Sequence, residues 1–391
     1  MTRSCGVNPR RARARRGRQR PSPPSANVVR TAAMRLAHRD WSAEPEAWAR
    51  ALDVSREAIE LYASSDVIDL HLDSFIWTRI FGYDLRRKHG LGLFGRHFYS
   101  QVDFPRALEA GLTGGTWIIT TNPFKPARWR RDAFFRNLDR IKALFAETAS
   151  DFQHVRTAAE YRAARAAGRH GAFLGIQGGN ALDHDLDDVG RIPDGDILRC
   201  TVVHLTTSSL GQTSNPLPRR LSGKEGLTDR GRDFVRRLND AKIFVDLAHI
   251  SRKAFFEAAE VHDASQPLMV THTGVAGVYE HWRNLTDEQL RVVADTGGTI
   301  GVMFQESFLA KKGATADTIV DHLAHICDTV GEDHASIGSD YDGAISPPPD
   351  VPTLFELPKL VQLMLDRGWS DARVRKILGG NFLRVVEQLR G

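Results

Sequence analysis

The 391-residue sequence contains little cysteine and no long apolar run. Three cysteines, Cys5, Cys200 and Cys327, are too few for a disulfide framework and lack the paired spacing of a zinc-binding motif. No apolar run reaches the roughly 18–20 residues that a membrane-spanning helix needs. No hydrophobic tail follows the last helical segment, so a lipid-anchor signal is not expected either. These absences favour a reducing compartment without membrane attachment, and we predict a cytoplasmic location.

The first 35 residues contain ten arginines and no acidic residue. Taking ten positive charges from the net charge of +5 leaves −5 for the rest of the chain, so the high pI does not by itself indicate nucleic-acid binding. This segment lacks apolar periodicity and cannot bury enough surface to fold, so we predict a disordered Arg-rich tail over residues 1–35. An unused upstream start before Met34, a basic arm and a targeting segment all fit its composition.

Residues 36–391 are predicted to form one domain of the α/β class, a (β/α)8 TIM barrel. Short apolar runs alternate with amphipathic segments, and most runs are continuous, as in parallel strands covered on both faces. One miscounted strand would instead leave a doubly wound sheet. Thr286 with Gln289 and Ser251 are expected to begin helices, and Gly379 to end one. The predicted strands are residues 67–70, 115–120, 172–176, 200–204, 243–247, 268–271, 299–304 and 335–338.

Side chains of the types that bind metals fall at the ends of these predicted strands. His71 and Asp73 are two residues apart on an extended segment and therefore share one face. One histidine after a strand is more often structural, but polar groups at the ends of six strands indicate a site at the barrel mouth. Imidazole and carboxylate ligands without a thiolate suit zinc or a similar divalent ion. The set is His71, Asp73, Gln177, His204, His249, His272 and Asp340.

Six segments resemble the membrane (renal-type) dipeptidase family, a branch of the metal-dependent amidohydrolase-like barrels. The resemblance extends from about Asp66 to Arg390 and covers nearly all of the predicted domain. The segments are Gln-Val-Asp-Phe-Pro-Arg at 101–106, Gly-Leu-Thr-Asp-Arg-Gly-Arg at 226–232, Val-Asp-Leu-Ala-His at 245–249, His-Trp-Arg-Asn at 281–284, Ile-Gly-Ser-Asp-Tyr-Asp-Gly at 337–343 and Gly-Gly-Asn-Phe-Leu-Arg at 379–384.

The resemblance implies a two-zinc site. It assigns one zinc to His71 and Asp73 and the other to His249 and His272. A glutamate bridges both ions in the family, but this sequence has Gln177 there. Two divalent ions about 3.5 Å apart repel without an intervening anion, and a neutral amide offers one good acceptor oxygen. We therefore expect Zn²⁺ as one or two ions, with a weakened second ion and His249 and His272 as the stronger pair.

The resemblance also implies roles in substrate binding and proton transfer. It assigns contact with the substrate carbonyl to His204, binding of the substrate carboxylate to Arg283, and the role of proton shuttle to Asp340. Residues 205–214 lack the Asn-rich turn of the family, so dipeptide specificity does not follow from the resemblance alone.

The sequence is consistent with three functions. The first is a metal-dependent hydrolase that cleaves an amide bond in a small carboxylate-bearing substrate such as a dipeptide. The second is a catalytically impaired binding or scaffold protein, motivated by Gln177. The third, nucleic-acid binding through the arginine tail, is disfavoured, and no membrane partner is expected. A homodimer is expected only because members of the family often form one.

Overall fold

The structure is a computed structural model that describes residues 1–2, 34–91, 99–193 and 195–391. The chain divides into two units, Met1–Ala32 and Ala33–Gly391, and the fold given below is that of the second unit. Nearly all of the predicted tail over residues 1–35 lies outside the described residues, so its disorder remains a prediction.

Eight parallel strands form a nearly closed barrel, which confirms the predicted (β/α)8 fold. The described part of the chain has these eight strands and one more: β1 (Ile68–Leu72), β2 (Gly114–Thr120), β3 (Phe152–His154), β4 (His170–Gln177), β5 (Arg199–Thr201), β6 (Phe244–Asp246), β7 (Met269–Thr273), β8 (Thr299–Val302) and β9 (Ala335–Ile337). Their order is β1-β2-β4-β5-β6-β7-β8-β9, and β3 pairs with β4 outside this circuit. A parallel bridge between Leu72 and Tyr341 joins the first strand to the chain just after the last one.

Four predicted strands end earlier in the structure than in the sequence-based prediction, and the one predicted over 335–338 does so by a single residue. The strands predicted over 200–204 and 243–247 end at Thr201 and Asp246, so His204 and His249 lie in the loops that follow. The strand predicted over 299–304 ends at Val302. The strand Phe152–His154 was not predicted, because three residues carry too little periodicity to be recognised.

Two helices precede β1, and the others follow the strands around the barrel. They are α1 (Pro45–Leu52), α2 (Arg56–Ser64), α3 (Phe75–Phe81), α4 (Phe104–Glu109), α5 (Ala127–Glu147), α6 (Ala158–Ala166), α7 (Pro216–Leu221), α8 (Asp229–Asp240), α9 (Arg252–Val261), α10 (Asp287–Asp295), α11 (Glu306–Leu309), α12 (Ala316–Val330), α13 (Pro358–Asp366), α14 (Asp371–Arg375) and α15 (Asn381–Arg390). The predicted capping box of Thr286 and Gln289 begins α10, and Ser251 caps α9.

Gly379 does not end a helix, which corrects that prediction. The chain continues from α14 through a π-helical turn, Lys376–Gly380, directly into α15. A Cβ atom on Gly379 would lie 2.5 Å from the carbonyl oxygen of Asp66. Glycine is therefore needed here for a close approach of the backbone to the chain entering β1, rather than for a left-handed cap.

The core lies between the strands and the helices around them. The inner helix faces supply its apolar side chains, as in α8, where Phe234, Val235 and Leu238 are buried. Aromatic rings fill the space outside β2 and β3, with the ring centroids of Phe104 and Phe152 4.3 Å apart. None of the described helices is long and apolar enough to cross a membrane.

Candidate metal centre

The predicted site residues meet at the carboxyl ends of the barrel strands. His71 lies within β1, Gln177 ends β4, and His272 lies within β7. His249 follows β6 and Asp340 follows β9 by three residues each. Because the strands are parallel, these ends open on the same side of the barrel, the side on which active sites of this fold lie.

Two imidazoles and one amide form the centre of the site. Nε2 of His249 lies 2.7 Å from Nε2 of His272. The amide nitrogen of Gln177 lies 3.3 Å from the former and 3.5 Å from the latter. Burial is the main cause that lowers the pKa of both histidines well below the ordinary value, so both rings are neutral. Neutral imidazole is the form that binds metals.

A hydrogen-bond chain behind His272 determines which of its nitrogens carries the proton. The hydroxyl of Thr271 donates to Oδ2 of Asp246 at 2.7 Å. Its only hydrogen is thereby used, so Nδ1–H of His272 donates to Thr271 Oγ1 at 2.9 Å. Nε2 of His272 is therefore left with a lone pair directed at Gln177 and His249, as a metal ligand requires.

A carboxylate stands beside the imidazole of β1. Oδ1 of Asp340 lies 3.5 Å from Nε2 of His71, and donor atoms of His71, His272 and Asp340 all lie within 4.8 Å of one another. Burial, reinforced by the charge of Asp73, raises the pKa of Asp340 well above its usual range. Oδ1 of Asp73 accepts a hydrogen bond from the Thr120 hydroxyl at 2.9 Å.

His204 and Arg283 border this centre on the open side. The ring of His204 lies edge-on to that of His249, with centroids 4.7 Å apart. Burial, then the charges of Arg283 and Arg199, lower the pKa of His204 to about 3. Nη2 of Arg283 donates to the carbonyl oxygen of His272 at 2.6 Å, and Arg283 and His249 both line a cavity of about 520 Å³.

Two of these residues have a left-handed backbone. His249 has φ of 64° and Asp340 has φ of 63°, values that non-glycine residues rarely adopt. The carbonyl oxygen of His249 accepts from the backbone N–H of Ser214 at 2.7 Å and from the Thr213 hydroxyl at 3.3 Å. Such conformations persist where surrounding contacts hold them, and they concentrate at functional sites.

The residues of this centre fit a divalent metal ion. Donor atoms bonded tetrahedrally at about 2.1 Å lie roughly 3.4 Å from one another. The Gln177 amide lies 3.3 and 3.5 Å from the two imidazole nitrogens, close to this spacing, whereas those two nitrogens are 2.7 Å apart and would have to separate by about 0.7 Å to bind one ion. Oε1 of Gln177 is buried without a hydrogen-bond partner among the described residues, and a half-turn of the amide would exchange it with the nitrogen. Two imidazoles and an amide oxygen would then face one point.

Arg199, a charged side chain inside the barrel, was not among the residues predicted from the sequence. Arg199 is fully buried and donates to Oδ2 of Asp246 at 2.8 Å and to Nδ1 of His71 at 2.6 Å. The signal that could have identified it is an arginine at the edge of an otherwise apolar predicted strand, residues 200–204. A charge in such a position is rarely buried without a partner.

Comparisons with known proteins agree on one family. The family model described as membrane dipeptidase (peptidase family M19) matches residues 55–390. An uncharacterized protein in the pqqA 5′ region of Klebsiella pneumoniae is 36% identical over 169 residues, 42% of this chain and 61% of that protein. The matched part thus spans about three fifths of that relative.

Solved structures share the fold. A probable dipeptidase, PvdM from Pseudomonas aeruginosa, superposes with a TM-score of 0.75 at 18% identity, over 87% of this chain and 99% of that one. A metallopeptidase from Rhodobacter sphaeroides, liganded with a phosphinate mimic of the dipeptide L-Ala-D-Ala, has a TM-score of 0.72 at 26% identity, over 83% and 99%. The match of the family model across residues 55–390 shows that this chain belongs to the membrane dipeptidase family.

Proposed function

We propose that this protein is a metal-dependent hydrolase that cleaves an amide bond in a small substrate with a free carboxylate, such as a dipeptide. The observation that carries the proposal is the convergence of His249, His272 and Gln177 at one point at the barrel mouth. Arg283 lies beside that point in the wall of an open cavity. A metal ligand set next to a guanidinium suits a substrate that carries a reactive carbonyl and a carboxylate.

Zinc is the ion that this ligand set suits best, and His249 and His272 would hold it with the amide oxygen of Gln177. When bound, such an ion supplies Lewis-acid polarisation of a carbonyl and a water of lowered pKa. A second ion at His71 and Asp73 would lack the bridging carboxylate that relatives of the family supply.

Three protein side chains would bind the substrate and transfer the proton. Arg283 would bind the substrate carboxylate, because a guanidinium can donate two parallel hydrogen bonds to it. His204, neutral at pH 7, would donate a hydrogen bond to the oxygen of the scissile carbonyl. Asp340, whose pKa is raised, would accept a proton from water and pass it to the leaving amine.

Gln177 supports a second candidate, a binding protein that retains the pocket without hydrolysis. Replacing a bridging carboxylate by an amide removes one negative charge from a site meant for cations. Such a protein would bind a carboxylate-bearing small molecule through Arg283 and release it unchanged.

Metal content and hydrolysis together separate the two candidates. Protein purified without chelator is analysed for divalent ions, then supplied with zinc and assayed with L-Ala-D-Ala and L-Ala-L-Ala. Bound zinc with turnover of either dipeptide supports the hydrolase. A Gln177→Glu variant that gains turnover absent from the parent favours the binding protein. Failure to bind any ion after zinc is supplied would overturn the hydrolase proposal.

A further inference from the structure

A buried arginine stands beside the candidate metal centre, where the proposed function does not use it. Arg199 is the first residue of β5, and its side chain is fully buried in the barrel. The neighbouring strand β4 has Gly175 directly opposite Arg199. A Cβ atom on Gly175 would lie 2.8 Å from Nε of Arg199, so the absence of a side chain makes room for the guanidinium.

Arg199 is held in one orientation by its hydrogen bonds. Nη1 donates to the Thr201 hydroxyl at 2.7 Å and to Oδ2 of Asp246 at 2.8 Å. Nη2 donates to Nδ1 of His71 at 2.6 Å. A guanidinium has no acceptor atom, so Nδ1 of His71 must accept.

This hydrogen bond dictates the tautomer of His71. A neutral imidazole that accepts at Nδ1 carries its proton on Nε2, the nitrogen that faces Asp340 at 3.5 Å. A protonated nitrogen has no lone pair for a metal ion. His71 could bind an ion through Nε2 only by losing this proton or by losing its hydrogen bond to Arg199.

Asp246, which holds Arg199, imposes the opposite tautomer on His272. Asp246 reaches His272 through the Thr271 hydroxyl, which accepts from Nδ1–H and leaves Nε2 unprotonated. It reaches His71 through Arg199, which can only donate. His272 therefore has a free lone pair on Nε2 for a metal ion, whereas Nε2 of His71 carries a proton.

We propose that Arg199 keeps metal away from the His71–Asp73 pair and so limits the site to one ion, at His249 and His272. The inference rests on the proposed metal-dependent function and specifies its metal content. Gln177 acts in the same direction, because its neutral amide supplies no bridging anion for a second cation. Arg199 is thus a positioning residue: its hydrogen bond to Nδ1 keeps the proton of His71 on Nε2.

Heteronuclear NMR of the histidine ring nitrogens tests the tautomer in the unaltered protein. The His71 signals are assigned by their loss in a His71→Gln variant, and spectra are recorded before and after addition of zinc. We expect Nε2 of His71 to remain protonated in both states, while signals of His249 and His272 shift on zinc addition. A metal-bound shift at Nε2 of His71 would overturn the proposal.

Metal counting in variants tests the consequence. Zinc per chain is measured after dialysis for the parent, Gln177→Glu, and the double variant Gln177→Glu with Arg199→Met. Restoring the carboxylate alone is expected to leave one ion, and removing Arg199 as well is expected to give two. The matched control adds Arg390→Met to Gln177→Glu, because Arg390 donates to backbone carbonyls at the opposite end of the barrel, and it should still bind one ion.

The outcomes for Arg199 and for the proposed function are distinguishable. Two ions in Gln177→Glu alone, or equal counts with and without Arg199, would overturn the role of Arg199. If the parent binds no zinc, the metal-dependent function fails, and the difference between the two Glu variants still decides the role of Arg199. If the Arg199→Met protein does not fold, the NMR measurement on the parent decides it.

Discussion

At the scale of single residues, Arg283 has the most exacting role in the proposed function. Its Nη2 is fixed on the carbonyl of His272, and it shares its cavity with Arg219 and Arg252. Any of these three arginines could bind the substrate carboxylate, and their burial distinguishes them. Arg283 is buried, whereas Arg252 is exposed and paired with Glu288 on the surface.

Replacing Arg283 by lysine should lower kcat/KM for L-Ala-D-Ala by about 100-fold, mainly through a higher KM. A lysine cannot supply the two parallel hydrogen bonds of a guanidinium, and charge-assisted hydrogen bonds of this kind are worth about 2–3 kcal/mol. Steady-state kinetics measure the effect, and Arg252→Lys is the matched control, for which we expect a change below about 2-fold. A larger effect at Arg252 would assign the carboxylate to the outer part of the cavity.

His170 gives a pH-dependent stability that is independent of the metal site. Its Nδ1–H donates to the carbonyl oxygen of Leu112 at 2.8 Å, and its Nε2 accepts from the Trp117 indole at 3.1 Å. Burial lowers its pKa to about 4. Between pH 6.5 and 4 the unfolded chain gains a proton that the folded chain does not, so folded-state stability falls as the pH falls, by about 3 kcal/mol in all.

A His170→Gln variant should therefore lose less stability than the parent on acidification. Urea unfolding at pH 7 and at pH 4.5 measures the free energy of unfolding of both proteins. The loss in the parent minus the loss in the variant gives the contribution of His170 alone. The parent is expected to lose about 2 kcal/mol more than the variant over this interval, which covers most of the titration. Parallel pH curves would show that His170 titrates at its ordinary pKa in the folded protein.

At the scale of elements, the pairing of β4 with β5 determines the space available to Arg199. Gly175 lies opposite Arg199, with Ile118 of β2 on its other side. A methyl group there would meet Arg199 Nε at 2.8 Å and the Ile118 Cδ1 at 3.0 Å, both below ordinary contact distance. Neither neighbour can move far in a closed barrel.

Gly175→Ala should reduce stability by about 1–3 kcal/mol, the usual cost of overpacking a core. Thermal and urea unfolding measure it, with Gly190→Ala as the control. A Cβ atom on Gly190 would meet no atom within 4 Å, so a change below about 0.5 kcal/mol is expected there. Equal effects at both glycines would mean that Arg199 adapts to the methyl group at no cost.

The sequence predicted the elements better than it predicted their ends. Continuous apolar runs identified all eight barrel strands, because buried parallel strands have that pattern. The predicted strand ends at His204 and Leu247 were wrong, because apolar residues continue past the last ladder pair into buried loops. The ligand types were visible in the sequence, but the tautomer of His71 was not, because it depends on Arg199, which is 128 positions away along the chain.

At the scale of the whole molecule, the arginine-rich segment before Met34 is expected to contribute nothing to the stability of the barrel. It carries nine of the ten arginines of the first 35 residues and has no apolar periodicity. Deleting residues 1–33 should change Tm by less than about 1 °C and leave the zinc content unchanged. Calorimetry and elemental analysis test this, and a loss of salt-sensitive nucleic-acid binding on deletion would instead give the segment a function of its own.

Zinc should stabilise the folded barrel, because the converging nitrogens of His249 and His272 exist only in the folded chain. At a free zinc concentration about 1,000-fold above Kd the gain is roughly 4 kcal/mol, which raises Tm by about 5 °C in a domain of this size. Scanning calorimetry with and without zinc measures the shift. His272→Gln should abolish it, whereas His325→Gln should retain it, because His325 lies on α12 outside the ligand set and is paired with Asp287. An equal shift in all three proteins would place the stabilising ion somewhere other than the mouth of the barrel, and the proposed hydrolase chemistry would lose its metal.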